Sequence, residues 1–207
     1  VLRAVKCINI YQNNCDTAYR EADILKNLRH PSIPIIYDIE QDSEHIYVIE
    51  EYIEGMSLTQ LISQQKLCAG KAVEYAIQLC NIIAYMNDNH TYHLDIKPDN
   101  ILINASGQVK VTDFGLATLA DAQGFGVAGG GTIGYMPLEQ MRQENLDARC
   151  DEWALASVTY EMLAGENPFL APNLFQAQEA IEDGELVLPS LCWDNLDPAA
   201  DDPIFYA

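Results

Sequence analysis

The amino-acid sequence predicts an α+β fold in two unequal parts: a small, mostly antiparallel sheet with one helix, and a larger, mainly helical region. Before residue 55, short stretches of alternating and β-branched residues are typical of strands, and one stretch has a helical period. After residue 55, apolar residues recur at helical spacing over longer segments. The 207 residues are enough for one large domain or two small lobes with a hydrophobic core.

The first part is predicted to contain three strands and one helix. Residues 1–10 alternate and include several β-branched side chains, as strands do. Residues 16–29 place apolar side chains on one helical face, and two prolines that stop a helix follow them. Residues 35–53 indicate two strands around the polar turn at 41–45.

The second part is predicted to be mainly helical, with one short pair of strands. Residues 101–115 indicate two strands joined by a Ser-Gly turn. Residues 121–134 are rich in glycine and have no apolar period, which predicts a mobile loop. Helices are predicted at 57–65, 69–89, 150–165 and 174–183, the third of them ending at Gly165.

The charge of the chain is strongly negative. There are 31 Asp and Glu residues against 11 Lys and Arg, a formal net charge of −20. Such a surface repels nucleic acid and anionic lipid, which argues against a protein that binds phosphate backbones. We expect the acidic surface to serve solubility, with a preference for basic partners as the weaker alternative.

The six cysteines form no metal-binding or disulfide pattern. No CxxC pair and no Cys/His cluster with ligand spacing is present, which argues against a zinc site and for a reducing compartment. No apolar run approaches the ~18 residues that span a bilayer, and no stretch has the pattern of a signal peptide. A cytoplasmic location is expected, for a free protein or for the cytoplasmic part of a longer membrane-anchored one.

The octet HLDIKPDN at residues 93–100 is the main candidate for chemistry, although taken alone it fits a solvated loop. Phosphoryl transfer from ATP needs cations at the phosphates, oxygen ligands for Mg²⁺ and a carboxylate near the acceptor hydroxyl. The octet and its surroundings supply all of these. The candidates are Lys6 with Glu21 as a positioned cation, Asn100 and Asp113 as metal ligands, Asp95 as base and Lys97 as second cation.

The ordered motifs resemble those of the eukaryotic-type protein kinase family, and the resemblance covers essentially the whole chain. A single Asp-Phe-Gly triplet is weak evidence, whereas six motifs in the expected order on the expected elements are specific. A lysine two residues after the base is the Ser/Thr-kinase form, and the short loops resemble bacterial members. The motifs are Ala4-x-Lys6, Glu21, His93-Leu94-Asp95-x-Lys97-x-x-Asn100, Asp113-Phe114-Gly115, Pro137-x-Glu139 and Asp151.

The resemblance implies a two-lobe fold, with a β-rich N-lobe and hinge over residues 1–54 and a helical C-lobe over 55–207. It implies ATP as phosphoryl donor, Mg²⁺ as cofactor and a protein with a Ser or Thr acceptor as substrate. Lys6 would contact the α- and β-phosphates, and the hinge would follow the adenine edge. The residues it assigns to the nucleotide are Ala4, Lys6, Glu21, Glu51, Ile53 and Asp113.

Behind the adenine, the family's gatekeeper position falls on Glu50, or on Ile49 if the alignment slips by one residue. A carboxylate at this place is costly unless it is paired, with Lys6 or through water. The sequence leaves the choice between the two residues open.

The resemblance also implies the catalytic roles. Asp95 would orient the acceptor hydroxyl and take its proton, and Lys97 would touch the γ-phosphate. Asn100 and Asp113 would hold Mg²⁺, and Thr132 would bridge Asp95 and Lys97. His93 would pack as a structural support, and Asp151 would accept hydrogen bonds from the catalytic-loop backbone. For Asp151 and Thr132, a purely scaffolding role and a direct catalytic role are equally open.

A leucine stands where many kinases have an arginine that binds a phosphate on the activation loop. Leu94 cannot bind a phosphate, and that loop has just two hydroxyl residues of interest, Thr118 and Thr132. Since Thr132 is assigned to the fold, we expect a kinase that is not switched on by activation-loop phosphorylation.

The family's glycine-rich loop would precede Val1, and its last helices, with an arginine that pairs with Glu139, would follow the final residue. The sequence is therefore expected to be a kinase truncated at both ends, weakly active by itself, with Glu139 unpaired. The alternative is a pseudokinase-like scaffold. The presence of all four key residues argues against it: Lys6, Asp95, Asn100 and Asp113. A small-molecule phosphotransferase fits less well, because the Gly-Thr and Pro-x-Glu segment that shapes a peptide groove is present.

Overall fold

The first part of the chain forms a three-stranded antiparallel sheet in the order β1-β3-β2, with one helix packed against it. The strands are β1 (Arg3–Asn9), β2 (Ile36–Gln41) and β3 (His45–Glu51), and the helix is α1 (Cys15–Asn27). They confirm the three strands and the helix predicted here. The computed structural model of the protein describes residues 2–10, 15–64, 67–126 and 130–192.

The register of β1 and β3 decides which side chains share the inner face of this sheet. Ala4 pairs with Glu50 and Lys6 with Val48, and directly paired residues of an antiparallel ladder lie on the same face. Val48 is fully buried, so this face points into the protein. Ile49 lies on the opposite face, because side chains alternate along a strand. Glu50 therefore shares the face of Lys6, and Ile49 does not.

The second part combines helices with a second small sheet. Strand β4 (Gly55–Ser57) pairs with β6 (Ile101–Asn104), which in turn pairs with β7 (Val109–Val111). A Cβ at Gly55 would lie 2.2 Å from the carbonyl oxygen of Ile103, so this close approach requires glycine. The helices are α2 (Leu58–Gln64), α3 (Ala69–Asp88), α4 (Leu138–Met141), α5 (Arg149–Ala164), α6 (Leu174–Asp183) and α7 (Pro189–Cys192).

One hydrophobic core joins the two parts. Its centre is α3, where Leu79, Ile82 and Met86 are fully buried. These side chains belong to one cluster with residues of α5, β6 and β7 and with Ile24 and Leu25 of α1. The shared core therefore fixes α1 relative to β7, although the two elements are far apart in the sequence.

The predicted α+β class is confirmed, and so are the four predicted helices of the second part. Helix α5 ends at Gly165, whose φ of 86° is left-handed and favours glycine. The sequence missed the shortest elements, which are too short to show a period: β4, β5 (Thr91–Tyr92), β8 (Thr118–Leu119), α4 and α7. Residues 127–129 of the predicted mobile loop lie outside the described residues. Among the described helices, none is long and apolar enough to cross a bilayer.

Candidate active site

The loop at residues 93–100 is anchored by one buried carboxylate. Asp151, in the first turn of α5, is 2% exposed and accepts hydrogen bonds from the backbone N–H groups of His93 and Leu94, at 2.7 and 2.8 Å. Leu94 has a φ of 61°, a left-handed conformation that the bonded carboxylate helps to hold. Burial raises the pKa of Asp151, while the two N–H donors and His93 favour its charged form. Asp151 thus lies where the sequence predicted it, on the backbone of the loop.

The ring of His93 supports the same loop from inside. It is fully buried and packs edge-on against Phe114, with 4.6 Å between the ring centroids. Its Nε2 lies 3.1 Å from the carbonyl oxygen of Thr112, and its Nδ1 accepts a bond of 3.3 Å from the N–H of Asp95. Since a carbonyl accepts and an N–H donates, the proton of the neutral ring belongs on Nε2. These contacts agree with a packing role for His93.

Four predicted catalytic residues meet around one carboxylate, and we call them the Asp95 cluster: Asp95, Lys97, Asn100 and Thr132. Thr132 Oγ1 donates to Asp95 Oδ1 at 2.7 Å, and Asn100 Nδ2 donates to Asp95 Oδ2 at 3.0 Å. Lys97 Nζ lies 2.8 Å from Asp95 Oδ2 and donates to Thr132 Oγ1 at 2.7 Å. Asp95 is 8% exposed, so its carboxylate is oriented by three neighbours and open to solvent on a small part of its surface.

A second group, the Lys6 cluster (Lys6, Glu21 and Asp113), joins three distant elements. Lys6 Nζ donates to both carboxylate oxygens of Glu21, at 3.1 and 2.8 Å, and to Asp113 Oδ1 at 2.6 Å. Burial by itself lowers the pKa of Lys6, but the two carboxylates raise it above its ordinary value. Burial likewise acts to raise the pKa of Asp113, and Lys6 reverses this and holds it low. Lys6 and Asp113 thus stabilise each other's charged forms, and the Glu21 carboxylate adds to the stabilisation of the Lys6 ammonium group.

Asn100 and Asp113 have the donor chemistry that Mg²⁺ requires. Both bonds that Asn100 donates, to Asp95 O and Oδ2, leave from Nδ2, so its Oδ1 stays available as a ligand. The side chain of Asp113 is 48% exposed and supplies carboxylate oxygens. Among the described residues, no group of three or more His, Cys, Asp or Glu could hold a metal ion. Mg²⁺ does not need such a group, since one or two protein oxygens, substrate phosphates and water complete its shell.

The predicted hinge residue Glu51 directs its carboxylate away from Lys6. It lies on the opposite face of β3 and pairs at 2.5 Å with Nζ of Lys110, whose side chain is 9% exposed. The same carboxylate accepts a bond of 3.4 Å from the N–H of Ile35. The Glu51 side chain therefore ties the hinge to β7, and the backbone N–H of Glu51 donates to the carbonyl oxygen of Ile35 at 2.9 Å. Ile53, also predicted at the nucleotide, is partly buried beside it.

The surroundings of Leu94 are apolar. Leu94 belongs to a buried cluster with Tyr92, Leu146 and Cys150. Thr118 is 8% exposed and lies in β8, which pairs with β5. Neither a cation for a phosphate nor an exposed hydroxyl is therefore present at Leu94 and Thr118.

The sequence missed three polar residues whose side chains support the segment that carries Thr132: Gln140, Tyr135 and Glu161. Gln140 Nε2 donates to the carbonyl oxygens of Leu94 and Gly130, at 2.8 and 2.7 Å. Tyr135 donates its hydroxyl to Glu161 at 2.6 Å, and burial together with this carboxylate raises the pKa of Tyr135. Polar residues of this kind carry no motif of their own, so nothing in the sequence marked them.

Glu139, expected to be unpaired, has no ion pair with any residue that the structure describes. Its carboxylate is contacted by the thiol of Cys150, whose Sγ lies 3.8 Å from Glu139 Oε1. A thiol is a weak donor. Burial raises the pKa of Cys150 to about 12, so this thiol stays protonated and can donate.

The small antiparallel sheet and the larger helical part, with these clusters at their junction, form the fold of a protein kinase. The family model described as "Protein kinase domain" matches residues 2–202. The chain belongs to the protein kinase family.

Several curated proteins are similar to the chain over most of its length. Serine/threonine-protein kinase PrkC of Bacillus subtilis strain 168 is 37% identical over 153 residues, 72% of this chain and 24% of that protein. CBL-interacting serine/threonine-protein kinase 20 of Arabidopsis thaliana is 32% identical over 179 residues, 84% of this chain and 41% of that protein. Aurora/IPL1-related protein kinase 2 of Caenorhabditis briggsae is 32% identical over 171 residues, 82% of this chain and 56% of that protein. The chain thus spans between about a quarter and somewhat over half the length of these relatives.

Proposed function

We propose that the protein transfers the γ-phosphoryl group of ATP to a Ser or Thr hydroxyl of a protein substrate. The observation that carries this proposal is the Asp95 cluster, in which one carboxylate is held by Lys97, Asn100 and Thr132 at 2.7–3.0 Å. The serine/threonine kinases among its relatives support the choice of acceptor. The Gly-Thr segment at Thr132 supports a protein substrate.

Asp95 acts as the base in this proposal. The acceptor oxygen forms its bond to the γ-phosphorus while the bond from that phosphorus to the bridging oxygen of ADP breaks, and the hydroxyl proton passes to Asp95. Thr132 and Asn100 hold one carboxylate oxygen each, which orients the group without neutralising it. Lys97 is the only cation bonded to Asp95 among the described residues, and it provides positive charge where phosphoryl oxygens carry negative charge.

The Lys6 cluster would hold the triphosphate and the metal. Lys6, kept charged and oriented by the buried Glu21, binds phosphate oxygens. Asn100 Oδ1 and the Asp113 carboxylate would hold Mg²⁺, which neutralises phosphate charge when it is bound. Because Asp113 is bonded to Lys6, the ammonium of Lys6 also fixes the orientation of that carboxylate.

The test is transfer of labelled phosphate from Mg·ATP to a mixture of Ser- and Thr-containing proteins. We expect Asp95→Asn to reduce transfer at least about a hundredfold, as loss of a general base does. Asp88→Asn, the same change on an exposed residue at the end of α3, is the matched control and should be without effect. If the chain binds Mg·ATP and transfers nothing, or if Asp95→Asn transfers as well as the control, the catalytic proposal is wrong. The first of these outcomes would favour the scaffold alternative, and the second would remove Asp95 from the role of base.

A further inference from the structure

Glu50 is an acidic side chain of the cleft to which the proposed reaction gives no role. It lies on the inner face of β3, directly opposite Ala4, so that Lys6 is its diagonal neighbour on β1. Diagonal neighbours in an antiparallel sheet lie roughly 7–8 Å apart, within the reach of long side chains. Glu50 is partly buried, and its carboxylate forms no hydrogen bond or ion pair with the residues that the structure describes.

The surroundings of Glu50 contain more acid than base. Glu21 and Asp113 are already bonded to Lys6, so Glu50 is a third carboxylate beside a single ammonium group. On its other side, β3 pairs with β2, where the residue opposite Glu50 is the apolar Ile36. Burial is the main cause that raises the pKa of Glu50, and Glu21 and Asp113 raise it further while Lys6 lowers it.

We propose that Glu50 is an affinity-determining residue of the nucleotide site, whose negative charge beside Lys6 weakens the binding of nucleoside triphosphates. The inference rests on the proposed function, since it takes Lys6 as the phosphate-binding cation. A triphosphate brings several negative charges to Lys6, and each of them is repelled by an ionised carboxylate at the diagonal position. The repulsion must grow with the charge of the ligand, in the order adenosine, ADP, ATP, and must vanish for the uncharged nucleoside.

Equilibrium binding of ATP, ADP and adenosine, with Mg²⁺ present and at pH 8, tests this proposal. The proteins are the wild type, Glu50→Gln and Glu50→Met, with Glu40→Gln as the matched control. Glu40 carries the same charge but is exposed on β2. We expect Glu50→Gln to bind ATP about three- to tenfold more tightly than the wild type, ADP by a smaller factor and adenosine equally well. Glu50→Met removes the same charge with a different side chain. Its gain in affinity should again be largest for ATP, smaller for ADP and absent for adenosine.

The outcomes distinguish a failure of this proposal from a failure of the proposed function. Equal ATP affinity in the wild type and in both Glu50 variants overturns the role of Glu50 and leaves the kinase proposal standing. A gain of equal size for adenosine and ATP overturns it too, because the effect would then act on the base and not through charge. If neither the wild type nor any variant binds ATP, the proposed function fails and this inference fails with it.

Discussion

The Asp95 cluster and the Lys6 cluster are positioned in different ways. In the Asp95 cluster, three of the four residues come from residues 95–100, and Asp151 fixes the backbone just before them. In the Lys6 cluster, each residue comes from a different element: β1, α1 and the segment after β7. The first cluster is therefore set by one loop and one buried carboxylate, and the second depends on the packing of distant elements in the shared core.

The two clusters also differ in their charge. In the Asp95 cluster one carboxylate faces one ammonium group. In the Lys6 cluster one ammonium group is bonded to two carboxylates, and Glu50 adds a third nearby. A preorganised cluster with balanced charge should respond mainly to changes that loosen its backbone. A cluster with surplus acid should respond to changes of charge.

The largest effect is expected from Asp151→Ala, which removes the anchor of the Asp95 cluster. It leaves the buried N–H groups of His93 and Leu94 without acceptors, and each such group costs about 1–3 kcal/mol. We expect the free energy of unfolding, measured in urea, to fall by about 2–5 kcal/mol. Glu152→Ala, at the next and exposed position of α5, is the control and should change stability by less than about 0.5 kcal/mol. A loss no greater than that of the control would show that the loop does not depend on Asp151.

A smaller loss of stability is expected from Lys6→Met, because the Lys6 cluster is more exposed. The change leaves Glu21, which is 2% exposed, without the ammonium group that it accepts bonds from. We expect the free energy of unfolding to fall by about 1–3 kcal/mol and nucleotide binding to be lost. Lys26→Met, on an exposed residue of α1, is the control. Unchanged nucleotide affinity in Lys6→Met would remove Lys6 from the proposed phosphate site.

The sequence predicted the Asp95 cluster more completely than the surroundings of the Lys6 cluster. Asp95, Lys97 and Asn100 are close in sequence, and the resemblance to protein kinases implied that Thr132 bridges Asp95 and Lys97, so their meeting at one carboxylate was expected. The position of Glu50 needed the register of β1 and β3, because a slip of one residue moves every side chain to the other face. The partner of Glu51 was not predictable, since Lys110 is 59 residues away and belongs to no motif.

The stability of the protein should depend on pH through Glu50, which lies beside the Lys6 cluster. The pKa of Glu50 is raised above its ordinary value of 4.5 in the folded protein, so folding favours its protonated form. The wild type should therefore lose stability relative to Glu50→Gln as the pH rises from about 4 through the raised pKa. Urea unfolding of both proteins at a series of pH values measures this difference, and Glu40→Gln should show no such trend. A difference that stays constant with pH would mean that Glu50 titrates alike in the folded and unfolded chains.

The smallest effect is expected from Thr118→Ala, which should leave the activity unchanged. This variant tests whether the Asp95 cluster must be activated by phosphorylation of the activation loop. Thr118 is 8% exposed, its hydroxyl makes one long bond of 3.5 Å to Leu119 O, and Leu94 is surrounded by apolar side chains. A phosphate on Thr118 would have no cation at position 94 to bind, so phosphorylation there could not order the loop as it does beside an arginine. Initial rates of phosphoryl transfer by wild type and Thr118→Ala, after preincubation with Mg·ATP, make the comparison.

Thr118→Ser, which keeps the hydroxyl, controls for packing. A large loss of transfer rate in Thr118→Ala that Thr118→Ser does not share would mean that the hydroxyl is used as a phosphorylation site. The Asp95 cluster would then need phosphorylation of Thr118 for full activity.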